Sequence, residues 1–141
     1  MEPASPARLY ASVAGALLVV LGIVGFFYDA SFTALDDLQP ALGTIEVNAW
    51  FNLLYVFTGA IGVLVAGVAS RPYSLAMGLL YTLLAILGLG TEWLHLTVGV
   101  LGLAAAAGTA RPEKRGSKRT QFARKEPRDS KPRAKAARNR A

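Results

Sequence analysis

The chain has 141 residues, with 15 Lys or Arg against 9 Asp or Glu and no cysteine. That length suits one compact unit, and without cysteine there is no disulfide, thiolate nucleophile or Cys-ligated metal. The net charge of +6 averages two unlike parts: Arg111 to Ala141 holds 13 Lys/Arg against Glu113, Glu126 and Asp129, net +10, while the rest holds Arg8 and Arg71 against six acids, net −4.

Leu9 to Tyr28 contains no charge. Such a run is about what an α-helix needs to cross a hydrocarbon core of ~30 Å. Arg8 just ahead of it also suits a signal peptide, but the run is long and no small-x-small cleavage site follows. A retained spanning helix over 9–28 is therefore expected. The loop from Asp29 to Val47 carries Asp29, Asp36, Asp37 and Glu46 and no basic residue. Within it, Phe32, Leu35 and Leu38 at spacing three suggest one face of a short interfacial helix ending before Gln39-Pro40. Uncharged spans then recur over about 50–69, 73–90 and 93–110. The expected fold class is all-α: a four-helix transmembrane bundle over residues 1–110, followed by a tail, 111–141.

Cytoplasmic flanks of membrane helices carry the Lys/Arg excess. Arg8, Arg71 and the basic tail all fall on one side of an even number of spans, which places both termini in the cytoplasm and the acidic loop outside. The expected location is the cell membrane, multi-pass. Tyr10 and Tyr73 near the inner boundary, and Tyr28, Trp50 and Trp93 near the outer one, fit interfacial aromatic belts.

An internal repeat underlies this pattern. Asn52-Leu53-Leu54-Tyr55 with Gly59 and Gly62 returns 40 positions later as Glu92-Trp93-Leu94-His95 with Gly99 and Gly102. Arg8-x-Tyr10, Gly15 and Gly25 return 63 positions later as Arg71-x-Tyr73, Gly78 and Gly88. The halves are then two helical hairpins of the same orientation, related by a pseudo-two-fold axis along the membrane normal. Helices in lipid associate through small residues, so Gly59, Gly62 and Ala66, with Gly99, Gly102 and Ala106, are the expected packing positions.

Glu92 and His95, three apart, share a helical face, as do Asn52 and Tyr55, and all four are candidates for one polar cluster near the outer interface. Ionisable groups at membrane depth are functional suspects, and a carboxylate beside an imidazole can relay protons or bind a cation. The competing expectation is structural: Thr91 caps the helix, Glu92 is solvated and favoured by the helix dipole, and His95 joins helices by hydrogen bonding. Glu-x-x-His also belongs to di-iron bundles, but those need a second such pair and two further Glu, so no metal and no cofactor are expected. No catalytic triad, phosphate-binding loop or paired intramembrane carboxylates occur, which argues against an enzyme.

The tail has Phe122 as its only large apolar residue. Its composition is that of a disordered segment, drawn to anionic lipid headgroups or acidic partners by charge. Specific nucleic-acid recognition is not indicated, though nonspecific phosphate attraction follows from the charge.

The asparagine, tyrosine or histidine, and paired glycines of the repeat resemble those of the bacterial four-helix membrane family called domain of unknown function 4383, over roughly Arg8 to Ala107. That family commonly has a histidine at both repeat positions, with Asn or Asp nearby. Here Tyr55 replaces the first histidine and Glu92 stands where Asn or Asp is usual. The resemblance implies an integral membrane protein of unassigned activity. The expected role is structural or interactive, with homo-oligomerisation an option; the alternative is a small proton- or cation-coupled transporter using Glu92 and His95.

Overall fold

Ser5 opens the first helix: its Oγ accepts from the Arg8 N–H at 3.2 Å, and Pro6 occupies the first turn, where its missing N–H is not needed. The computed structural model describes residues 4–41 and 43–110. Over these the chain forms α1 (Pro6–Tyr28), β1 (Gln39–Ala41), β2 (Ile45–Val47), α2 (Ala49–Val65), α3 (Ser70–Ile86) and α4 (Glu92–Ala107). The fold is all-α with one small two-stranded sheet. The chain divides into a unit of residues 1–110 and a unit of residues 111–141. The expectation of a disordered basic tail concerns the second and lies outside the described residues.

Successive helices run in opposite directions. At one end Ala7 N–H donates to Thr109 Oγ1 at 2.9 Å and Arg71 Nε donates to the Thr109 carbonyl at 3.1 Å. At the other, Asn52 Nδ2 donates to the Asp29 carbonyl at 3.0 Å, and Thr91 Oγ1 both accepts from Glu46 N–H and donates to Glu46 O at 3.0 Å. α1 is 23 residues long and by length and composition is apolar enough to cross a membrane. α2 and α4 are apolar but shorter, at 17 and 16 residues.

Within α1–α2 and within α3–α4 the backbones touch, because glycines face one another. A Cβ on Gly15 would stand 2.8 Å from the Gly59 carbonyl oxygen, and one on Gly59 would stand 2.5 Å from that of Gly15. In the other hairpin, a Cβ on Gly78 would meet Leu103 N at 2.7 Å and one on Gly99 would meet Thr82 N at 2.6 Å. Between the hairpins the space is filled by larger side chains in two clusters. Tyr10, Ala11, Ala66, Tyr73 and Ala105 form one, and Leu18, Phe51, Tyr55 and Tyr81 the other.

Several expectations need correction. No helix forms around Phe32, Leu35 and Leu38; that stretch is irregular, followed by the β1–β2 hairpin, with Gln39 paired to Val47 and Gly43 at φ 80° in the turn. Asn48 holds this stretch against the start of α2: its Nδ2 donates to the carbonyls of Ala34 and Asp37 while its Oδ1 accepts from Trp50 N–H. Phe32 instead packs edge-on against Trp50, and Leu38 reaches the second core cluster. Helix ends also differ: α2 stops at Val65, and α3 begins at Ser70 and stops at Ile86, ahead of Gly88 and Gly90 at φ 66° and 69°. α4 runs from Glu92 to Ala107 and closes at Gly108. Uncharged stretches overrun such boundaries because glycine is uncharged wherever it sits.

Candidate functional site

His95 is fully buried on α4, and the Tyr55 hydroxyl on α2 is hydrogen-bonded to its Nε2 at 2.7 Å. Three rings enclose the imidazole, with centroids at 5.6 Å for Phe51, 5.7 Å for Tyr55 and 5.6 Å for Tyr81. Gly90 closes over it: a Cβ there would lie 2.9 Å from His95 Cε1. One turn inward from Tyr55, Thr58 Oγ1 and the Tyr81 hydroxyl are hydrogen-bonded at 2.7 Å, which ties α2 to α3.

Asn52 is also fully buried but turns the other way, toward α1. Its Nδ2 takes the Asp29 carbonyl, and its Oδ1 lies so close to Gly25 that a Cβ there would approach it to 2.1 Å, leaving room only for a Cα hydrogen. Glu92 is exposed, and its Oε1 stands over Gly88, 3.2 Å from where a Cβ would be. The four cluster candidates thus separate: Tyr55 and His95 meet, Asn52 binds the end of α1, and Glu92 faces outward at the end of α3. The six packing candidates, Gly59, Gly62, Ala66, Gly99, Gly102 and Ala106, are all buried.

Other members of the polar interior were assigned elsewhere or missed on sequence. Tyr10 and Tyr73 were expected at the lipid interface; both are buried. Tyr10 Oη donates to the Val98 carbonyl at 2.9 Å, and Tyr73 Oη donates to the Thr58 carbonyl at 2.9 Å. These are one contact made twice, since Tyr73 follows Tyr10 by 63 positions and Val98 follows Thr58 by 40. The signal was the duplicated Arg-x-Tyr. Tyr81 and Thr58 carried no comparable flag.

Thr91 opens α4 without a side-chain cap, because its hydroxyl is committed to the Glu46 backbone. Trp50 Nε1 donates to Thr33 O at 3.1 Å and Trp93 Nε1 donates to Thr44 O at 3.4 Å, so both tryptophans also fasten the loop. Asp29, at the end of α1, accepts from the hydroxyl and the N–H of Ser31. The side-chain bond from Ser31 holds its carboxyl below the ordinary range, helped by the Ser31 N–H and, against the opposing effect of burial, by the Ala49 backbone. Among the described residues no group of three or more His, Asp or Glu stands together as a metal site would require.

This arrangement joins α2 to α4 through Tyr55 and His95, and α2 to α3 through Thr58 and Tyr81. No curated protein and no solved structure matches the chain. A family model described as "Domain of unknown function (DUF4383)" matches residues 8–92, more than half of the sequence. The match reaches from Arg8 through α1, the loop, α2 and α3 to the first residue of α4. The chain belongs to the DUF4383 family.

Proposed function

We propose that the protein is a four-span integral membrane protein whose role is structural or interactive, its polar interior serving to hold helices together. The observation that carries this reading is the polarity of the bundle, which is reversed from that of a water-soluble one. Tyr55, His95, Asn52, Thr58, Ser70 and Ser74 are inside, while Leu17, Phe57, Leu64 and Ile86 are 64%, 64%, 79% and 73% exposed. A stripe of such residues on every helix suits hydrocarbon, where interior hydroxyls and amides act as glue.

At 16 or 17 residues, α2, α3 and α4 stand at the short end for a span, which fits little tilt or a locally thinned bilayer. The charges support an orientation. Arg8 and Arg71 lie toward one end, and Asp29, Asp36, Asp37, Glu46 and Glu92 toward the other. With the Lys/Arg-rich tail, this favours cytoplasmic termini and an external loop. The paired contacts of Tyr10 and Tyr73, and of Gly25 with Asn52 and Gly88 with Glu92, support two duplicated hairpins about a pseudo-two-fold axis. The tail's net +10 supports a tether to anionic lipid or acidic partners.

The test is membrane extraction with cysteine labelling in intact cells. The chain should resist alkaline carbonate and dissolve in detergent; Ala30→Cys should react with an impermeant thiol reagent and Ser117→Cys should not. Release by carbonate, or the opposite labelling, overturns the reading. In liposomes, the wild type should show no proton or cation flux above empty vesicles; flux abolished by both Glu92→Gln and His95→Ala without unfolding would establish conduction instead.

A further inference from the structure

Of the two arginines among the described residues, Arg71 stands at the head of an apolar stripe on its own helix face. At steps of four along α3 follow Leu75, Leu79 and Leu83, which are 41%, 59% and 52% exposed. Residues at that spacing lie along one helix face. Arg8 opens α1 in the equivalent place, but the next position on its face is Ser12, whose hydroxyl donates to the Arg8 carbonyl at 2.9 Å. What sets α3 apart is that its arginine and its leucines share one face, whereas the exposed row Leu9, Val13 and Leu17 of α1 runs beside Arg8 rather than below it.

The guanidinium at its head is positioned. Thr109 accepts from Arg71 Nε through its carbonyl, while its hydroxyl accepts from Ala7 N–H and donates to Ala105 O at 2.8 Å. Arg71 is so fixed against the ends of α1 and α4. With Nε engaged, the terminal nitrogens form the remaining donor edge of the fork, the geometry that suits phosphate. Every carboxylate of the described residues belongs to the opposite end or to the loop between α1 and α2, so among the described residues none stands at the Arg71 end.

We propose that Arg71 binds the phosphate of an anionic phospholipid headgroup, with an acyl chain lying along Leu75, Leu79 and Leu83. The proposal rests on the membrane reading above and goes beyond the tail's general attraction to charged lipid. It names one headgroup contact and one acyl track on a single helix, and charge complementarity together with the apolar run beneath it selects phospholipid over a soluble anion.

The test uses the full chain, purified in detergent, with phosphatidylglycerol or phosphatidylcholine added and bound lipid counted by native mass spectrometry in 0.5 M salt, about enough to screen contacts of an exposed tail. The wild type should retain phosphatidylglycerol in preference. Arg71→Gln should lower that retention about fivefold, the effect of one basic residue at an anionic surface. Arg71→Lys should retain most of it, Arg8→Gln should change it less, and thermal unfolding should report that all variants fold. Equal retention by wild type and Arg71→Gln overturns the proposal while leaving the membrane reading intact. Displacement by millimolar inorganic phosphate would make the site one for a soluble anion and overturns it too. A chain that stays in solution without detergent sinks both readings.

Discussion

Tyr55 on α2 and His95 on α4 stand 40 positions apart and are hydrogen-bonded to each other at 2.7 Å. The pair joins a helix of the α1–α2 hairpin to a helix of the α3–α4 hairpin. A phenol hydroxyl and a neutral imidazole can each donate and accept, so the bond forms with either tautomer of His95.

That pair should couple measurably. In a double-mutant cycle of Tyr55→Phe and His95→Ala in detergent, the coupling should be about 0.6 to 1.7 kcal/mol, the range for interhelical hydrogen bonds in membrane proteins. Additive losses would show that the hydrogen bond contributes nothing beyond packing.

Glycine contacts within each hairpin should be less forgiving. Gly59→Ala places a methyl 2.5 Å from the Gly15 carbonyl oxygen, where backbone must move, and should cost about 1 to 3 kcal/mol. Gly67 has nothing within 4 Å of its Cβ position, so Gly67→Ala should be neutral or stabilising by under about 1 kcal/mol. Unfolding midpoints of the two variants, measured side by side, decide the point.

Thr91 should anchor the loop between α1 and α2 more than it stabilises α4. Thr91→Val removes both bonds to Glu46 while keeping the shape, and should raise the rate of proteolytic cleavage within residues 29–47 with little change in helix content; Thr91→Ser should behave as wild type. Unchanged cleavage in the valine variant would assign the loop's docking to Trp50 and Trp93 instead.

Asp29 gives a pH dependence with a definite sign. Its carboxyl is held below the ordinary 3.8, so the charged form is favoured in the folded state, and its contribution is complete above that value. It fades as pH falls through the lowered folded value, because the proton then binds in both states. Stability of wild type relative to Asp29→Asn should therefore be greatest above about pH 5 and converge in acid. Ser31→Ala, which removes the largest cause of the shift, should abolish most of the difference.

The number of helices and their approximate places were legible because uncharged runs and their breaks are local properties of the chain. The duplicated positions were legible too, since Arg8 and Arg71, or Gly59 and Gly99, are matched by identity alone. What tertiary structure decided was direction. Sequence spacing puts Glu92 and His95 on one helix face, yet a face is wide enough for His95 to point into the bundle and Glu92, one turn nearer the end, to point out of it. Tyr10 and Tyr73 read as interfacial aromatics until partners appeared for their hydroxyls, carbonyls 88 and 15 residues away in the chain. Asn48 likewise fastens the loop to the start of α2 through the carbonyls of Ala34 and Asp37, which no periodicity announces. Hydrophobic pattern is a property of single segments, whereas a hydrogen bond between segments exists only once packing has brought donor and acceptor together.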